Sequence, residues 1–520
     1  MNRLLLSLAA ALAPAAASAA DAPARPQPLA AATALAAKID RALDAAWAER
    51  KLTPAGPADD AEFLRRVYLD LAGRVPTVAE ARTFLADPAP NRRRLLVAEL
   101  LDRPTYARHF ATVWRHLLMP EADASQQLAE FAPGFEQWLR RGFGRNVPYD
   151  QLVRALLAAP INPDPEPSEF GAAREPVPLG FYLAKEAKPE NLAAATARVF
   201  LGVRLECAQC HNHPFATWTR EQFWGLAAFY AGIRAQDEGG IVQIERELPD
   251  RRELLIPGTD RVVQGVFPDG TEPRWRFKVG PRQTLADWVT AKDNPYFARA
   301  AVNRVWAHLF GVGLVEPVDE MAGGQDTVAH HPALLNELAA GFAAGGYDLK
   351  MLVEAVTASR AYQLTSRGRG ADAPLFTRHP LRGLTGEQLF DSLAAATGQP
   401  DDPAGRRGRA VFLARFAPQP GRTVDHETAV GHALTLMNGP FVAGATHPSR
   451  SELLAAVVAA PFFTDQGRVE AVYLAALSRP PTAQEAERAR AFVAAAPRPA
   501  EAVADVFWAL LNSAEFAFNH

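Results

Sequence analysis

The sequence predicts a mainly α protein: a multi-helical, two-part body with a small β insertion near residues 239–280. Three observations lead there. Apolar residues recur at three- and four-residue spacing through most of the chain, the period of a helix with one buried face. Between residues 239 and 280 that period gives way to short, β-branched, alternating runs bounded by turn residues, which is strand patterning. The length of 520 residues also exceeds what one hydrophobic core usually organises, so more than one domain is expected.

Taken in order, residues 1–20 read as a signal peptide. Arg3 gives a positive start, residues 4–13 an apolar core, and Ala15 to Ala20 the small residues a signal peptidase needs. Residues 21–60 are a Pro/Ala linker and a leading helix over 31–50, where Leu35, Ile39, Leu43 and Trp47 make an apolar stripe. Residues 61–238 form a helical domain. Its first helix starts at Asp60 and stops at Gly73; Thr77 and Glu80 spell a capping box for the second, and Asn91 heads the third. Further helices are expected over 105–118, 129–143, 149–158, 189–206 and from 219, with a Pro-rich loop over 160–178.

The β insertion has candidate strands at 241–248, 261–267 and 275–279. Residues 281–520 form a C-terminal helical domain of unknown function. Its helices are expected over 285–290, 295–310, 331–344, 349–358, 385–395, 426–436, 449–459, 468–477, 483–495 and 499–511, with an Arg/Gly/Pro-rich ordered loop over 405–420.

Charge and composition narrow the function. The chain is 48% hydrophobic and 22% charged with a formal charge of −3, so nothing electrostatic points to nucleic acid. No stretch after the signal is long and apolar enough to span a bilayer, so the mature protein is expected to be exported and soluble, in the periplasm of a Gram-negative bacterium.

The chemistry concentrates in Cys207-Ala208-Gln209-Cys210-His211-Asn212-His213-Pro214, which holds both cysteines of the chain. C-x-x-C-H is the attachment motif of c-type haem: each thiol adds to a porphyrin vinyl group and the histidine takes the iron. Cys207 and Cys210 would hold haem c and His211 would be the proximal iron ligand. Export fits, because both haem attachment and stable disulfides belong outside the cytoplasm. Two alternatives stay open: a structural zinc on Cys207, Cys210 and either His211 or His213, and a Cys207–Cys210 disulfide. His213 is too near His211 to reach the opposite haem face, which leaves Met119, Met321, Met437 and His116 as candidates for the sixth ligand. Among the aromatic residues after the motif, Trp218 is the best candidate for a haem wall; Phe215, Phe223, Trp224 and Phe229 read as ordinary core.

Long segments carry a resemblance. Residues 63–77 (Phe63-Leu-Arg-Arg-Val-Tyr-Leu-Asp-Leu-Ala-Gly-Arg-Val-Pro-Thr) and 201–215 around the cysteines are similar to a family of exported, cytochrome-c-like proteins abundant in planctomycetes and their relatives, built from two tandem domains of unknown function. Residues 294–306, 310–319, 331–335 and 359–366 agree with it. The resemblance implies the two-part architecture and a haem, and no particular reaction. Many members carry a separate cytochrome domain; this sequence holds no second C-x-x-C-H.

Other polar groupings read as structural. His330-His331 with Asp319, Glu320 and Asp326 has metal-ligand residue types, but His331-Pro332 is equally a helix start. Arg299, Asn303 and Arg304 suit either an anion clamp or salt bridges between the two halves. Asp425, His426, Glu427 and Asn438 form a further polar cluster. No P-loop, nucleophile elbow, H-E-x-x-H or dinucleotide fingerprint occurs. The sequence therefore leads to an exported haem protein working in electron transfer or a redox step of extracellular or periplasmic metabolism, with an unidentified redox partner protein. The contrasting expectation is a non-redox binding or assembly protein whose Cys-Cys-His turn is structural.

Overall fold

Helix α1 (Pro26–Glu49) buries the expected stripe of Leu35, Ile39, Leu43 and Trp47 and lies against two later helices, α14 (Pro332–Ala344) and α15 (Leu349–Ala358). The computed structural model describes residues 26–161, 178–212, 218–238, 241–321, 323, 327–368, 373–399, 405–415, 439–461 and 463–520. The expected signal peptide, nearly all of the 160–178 loop and the 426–436 helix lie outside the described residues.

Helix α2 (Asp60–Ala72) begins where Asp59 accepts a hydrogen bond from the Glu62 amide, and it ends at Gly73 in the left-handed region (φ +70°). In α3 (Val78–Ala86), the Thr77–Glu80 capping box forms in both directions. Helices α4 (Arg92–Asp102), α5 (Pro104–Leu118), α6 (Gln126–Ala129), α7 (Ala132–Gly144), α8 (Tyr149–Leu157) and α9 (Leu179–Ala184) complete the first stretch. Pro104 and Pro133 sit in first turns, where a missing N–H costs nothing.

The helix expected over 189–206 is shorter and changes character. Regular α10 (Pro189–Thr196) widens into a π-helical turn (Ala197–Leu201) and stops at Gly202, φ +64°. A left-handed glycine is a common helix stop, and it turns the chain toward the cysteines. Helix α11 (Arg220–Ala227) then starts on a Thr219–Gln222 capping box.

The β element starts earlier than the expected 239–280 span, at Ile233, and is divided into two two-stranded sheets. Strand β1 (Ile233–Glu238) pairs antiparallel with β2 (Ile241–Glu247), and β3 (Glu253–Leu255) with β4 (Val262–Gln264). The third expected strand, at 275–279, does not form. Lys278 adopts φ +60°, which breaks an extended run, and Trp275 turns inward beside Phe229, with Arg252 over its ring at 4.5 Å.

The later helices are α12 (Pro281–Val289), α13 (Phe297–Phe310), α14, α15, α16 (Gly386–Thr397) and α17 (Gly405–Ala414), then Pro440–Ala445, Glu452–Ala459, Asp465–Leu477, Ala483–Ala495 and Pro499–Leu511. Helix α17 corrects the loop expected there. Phe412 packs on Phe390 and Phe441, and Arg409 pairs with Asp391, so tertiary contacts override a glycine- and arginine-rich local sequence. The fold is thus mainly α with small two-stranded sheets.

Two apolar cores organise these elements. The larger takes residues from α1 through Phe376, with Leu474; the smaller takes residues of α16, α17 and the closing helices, together with Leu69 and Val75. Helix α2 belongs to both, since Phe63, Leu64, Val67, Tyr68 and Leu71 enter the first core and Leu69 enters the second. Its polar residues are buried too. Arg65 donates to the carbonyls of Ala476, Glu515 and Phe516, and Asp70 accepts from Tyr362, Arg382 and Asn519.

Candidate functional site

The Cys motif follows the Gly202 stop. Val203 and Leu205 are buried, the chain makes a 3₁₀ turn over Glu206–Gln209, and Ala208 is buried beneath it. With Ala208 turned inward, the flanking side chains turn out: Cys207 and Cys210 are free thiols exposed to solvent, and His211 and Asn212 are exposed beside them. His213 and Phe215 lie outside the described residues. Cys207, Cys210 and His211 therefore share one short exposed loop.

Helix α11 fastens that loop. The Gln209 carbonyl oxygen accepts from Trp224 Nε1 at 3.0 Å and from Arg220 Nε at 3.3 Å. Asn212 Oδ1 accepts from the Arg220 amide at 3.0 Å, which satisfies one of the unpaired donors in the first turn of α11. The Asn212 carbonyl in turn lies 2.7 Å from His211 Nδ1. A carbonyl only accepts, so Nδ1 carries the hydrogen; in the neutral tautomer with that bond the lone pair is on Nε2. A ligating histidine whose other nitrogen donates to a backbone carbonyl is held in tautomer and orientation by that bond.

In sequence, Trp224 reads as ordinary core and Trp218 as the better candidate for a haem wall. The structure buries both, but Trp224 is the one bonded to the motif. Arg220 and Trp224 are four residues apart and so share a helix face, a signal present in the sequence next to the cysteines. The partner they hold is a main-chain carbonyl, which no side-chain pattern announces.

The sixth-ligand candidates separate clearly. Met119 is fully buried, its sulfur packed on Gly180. His116 is engaged at both nitrogens, Nδ1 with Asp123 at 2.8 Å and Nε2 with Glu387 at 2.6 Å. Burial lowers its basicity, but the two carboxylates outweigh that and hold the imidazole at about 9. Met437 lies outside the described residues. Met321 is half-buried, and its amide donates to the Gly202 carbonyl at 2.7 Å.

The other groupings resolve into structural roles. Asn303 is fully buried and pins the turn after α13, accepting from Leu314 and Val315 and donating to the Val315 carbonyl. Arg304 donates to the Arg198 carbonyl at 3.3 Å, and the Nε atoms of Arg299 and Arg304 have no partner; the salt bridges expected of these arginines are not the contacts they make among the described residues. His331 contacts the Pro374 carbonyl, while Asp319 and Glu320 face Arg204. Asp326 and the 425–438 cluster lie outside the described residues. Among the described residues, no group of three or more His, Cys, Asp or Glu side chains is placed to hold a metal ion, and no helix is long and apolar enough to cross a membrane.

Two family models match the chain, each described as a protein of unknown function: DUF1549 over residues 38–235 and DUF1553 over residues 281–414. The chain carries these two domains of unknown function in tandem. No curated protein and no solved structure matches it. The Cys motif and the α11 brace both fall within the DUF1549 match. Strands β2, β3 and β4 occupy the interval between the two matches, and the DUF1553 match opens with α12 and includes Asn303 and Met321. Residues beyond 414, among them most of the smaller core, lie past both.

Proposed function

We propose that the chain is an exported c-type haem protein, with haem joined to Cys207 and Cys210 and its iron on His211, acting in electron transfer or a periplasmic redox step. The observation that carries this reading is the His211–Asn212 contact: the histidine of the C-x-x-C-H motif stands on an exposed loop with Nδ1 occupied and Nε2 without a partner among the described residues, beside two exposed free thiols. The residues fit the group in kind as well, two soft thiols and an imidazole.

The bonds formed in attachment balance with the loop's own thiols. Each thiol adds across a vinyl double bond; sulfur bonds one carbon and hydrogen the other, so no oxidant or reductant is consumed. When bound, the haem supplies a one-electron iron couple. The residues of the loop hold it: Ala208 anchors the turn in the core, Trp224 and Arg220 fix the Gln209 carbonyl, and Asn212 orients the imidazole. The partner proposed is a redox protein, and the site proposed for this chemistry is extracytoplasmic.

Intact mass tests the reading. Protein matured in the periplasm of a host with a working cytochrome c maturation pathway should gain the mass of one haem, and Cys207→Ala/Cys210→Ala should gain none. Wild-type protein that emerges without the increment contradicts it, and metal analysis of that protein would then separate a zinc site from a disulfide.

A further inference from the structure

We propose that Arg198 and Arg304 form a clamp for a small dianionic oxyanion of the phosphate class, set where the two tandem domains meet. The clamp stands whether or not the cysteines carry haem.

Its position follows from the end of α10. Arg198 lies in the π-helical turn Ala197–Leu201, and turns of that kind recur at functional sites. Its neighbours in the turn, Ala197, Val199, Phe200 and Leu201, are buried, whereas Arg198 is half-buried and reaches solvent. Helix α13 packs against this turn and brings Arg304 to it. Arg304 Nη2 donates to the Arg198 carbonyl oxygen at 3.3 Å, one of the carbonyls that a helix end leaves without a helical donor. Arg198 belongs to the DUF1549 match and Arg304 to the DUF1553 match.

The charges gathered here do not balance. Among the described residues, the Arg198 side chain has no hydrogen bond or ion pair, and Arg304 Nε is buried without a partner. The Arg198 charge acts on Arg304, on Lys185 and on Glu206, so three cations share one neighbourhood. Lys185 is answered by Glu121, and Asp319 is taken by Arg204 at 2.7 Å. Glu206, exposed beside Cys207, pairs with neither Arg198 nor Arg304. Two half-buried guanidinium groups are thus left without a carboxylate of their own, and a charge shielded from water without a partner is costly.

A plain structural role for Arg304 is to cap the Arg198 carbonyl. That cap uses one Nη2 hydrogen and leaves both the Nε of Arg304 and the whole Arg198 side chain unexplained. A phosphate-class anion accounts for both. Guanidinium groups hold such oxyanions through paired N–H donors, and a phosphate monoester's charge of about −1.5 to −2 at neutral pH matches two unpaired cations. Of the two roles the sequence leaves open for Arg304, salt bridge or anion clamp, only the second fits these contacts.

The test titrates inorganic phosphate into the full chain by calorimetry, with sulfate, acetate and chloride at matched ionic strength. Wild type should bind phosphate saturably, at one per chain, sulfate comparably and acetate more weakly, and its melting temperature should rise with phosphate. Arg198→Gln should weaken binding about tenfold or more, the loss expected when a charge-assisted hydrogen bond goes, and should blunt the phosphate-dependent rise. Arg304→Gln should do the same, and the exposed Arg498→Gln should bind as wild type does. If Arg304→Gln fails to fold, the half-buried Arg198 position decides. Phosphate that does not saturate, acetate that binds as well as phosphate, or an Arg198→Gln that binds like wild type overturns the clamp. Phosphate binding by a chain that never acquires haem leaves the clamp standing and overturns only the haem reading.

Discussion

Gln209 contributes no side-chain chemistry to the Cys-Cys-His loop, yet its carbonyl is where Trp224 and Arg220 hold that loop to α11. Trp224→Phe removes the Nε1 donor and keeps most of the ring. The expected cost is about 1 kcal/mol, the usual net worth of one hydrogen bond. Amide hydrogen exchange over residues 207–212 should accelerate while exchange in α2 stays unchanged; unaltered exchange at the loop would show that the contact does not brace it. At this scale the sequence is legible where chemistry resides in side chains. The thiols and His211 are plain in it, as are the capping residues Thr77, Thr219 and Thr385, all of which form boxes. The Gln209 and Asn212 carbonyls are not, because every residue has one.

Among elements, the junction of α5 with α16 carries a titratable lock. His116 on α5 bridges Asp123 and Glu387, and Glu387 opens α16. Burial alone would raise the Glu387 carboxyl, but His116 draws it down to about 2. For His116 the folded state holds the proton more tightly than the unfolded chain. Its stabilisation is therefore complete below 6.5 and is lost as pH rises through about 9. Thermal melting of wild type should fall across that window, and His116→Gln should flatten the fall; equal alkaline slopes in both would contradict the lock. Helix existence was readable here from periodicity and caps, and α15 begins and ends where the sequence places it. Helix α17 and the lost strand at 275–279 were not, because Phe412 and Trp275 are placed by partners distant in sequence.

For the whole molecule, α2 contributes to both cores, and its buried charges join regions more than 290 residues apart in sequence. Asp70 is the centre, accepting from Tyr362 at 2.7 Å, Arg382 at 2.6 Å and Asn519 at 2.7 Å. Asp70→Asn keeps the volume but leaves the Arg382 guanidinium without its charged partner. The expected loss is about 3 kcal/mol or more, in the range for breaking a buried ion pair from one side. Chemical denaturation measures it, and a loss under about 1 kcal/mol would assign the joining of the cores to apolar packing alone. In sequence, Phe63-Leu-Arg-Arg-Val-Tyr-Leu-Asp reads as one amphipathic helix; that its polar face is also buried follows from partners far along the chain, in residues 362–366, at Arg382 and between Ala476 and Asn519. This large body carries a short exposed motif, and what that motif holds decides the function. The pyridine haemochrome spectrum of wild-type protein matured in the periplasm tests it most directly. The account predicts the spectrum of a haem joined through two thioether bonds, at one per chain, whereas colourless protein, or haem that extracts into acidified organic solvent, would contradict it.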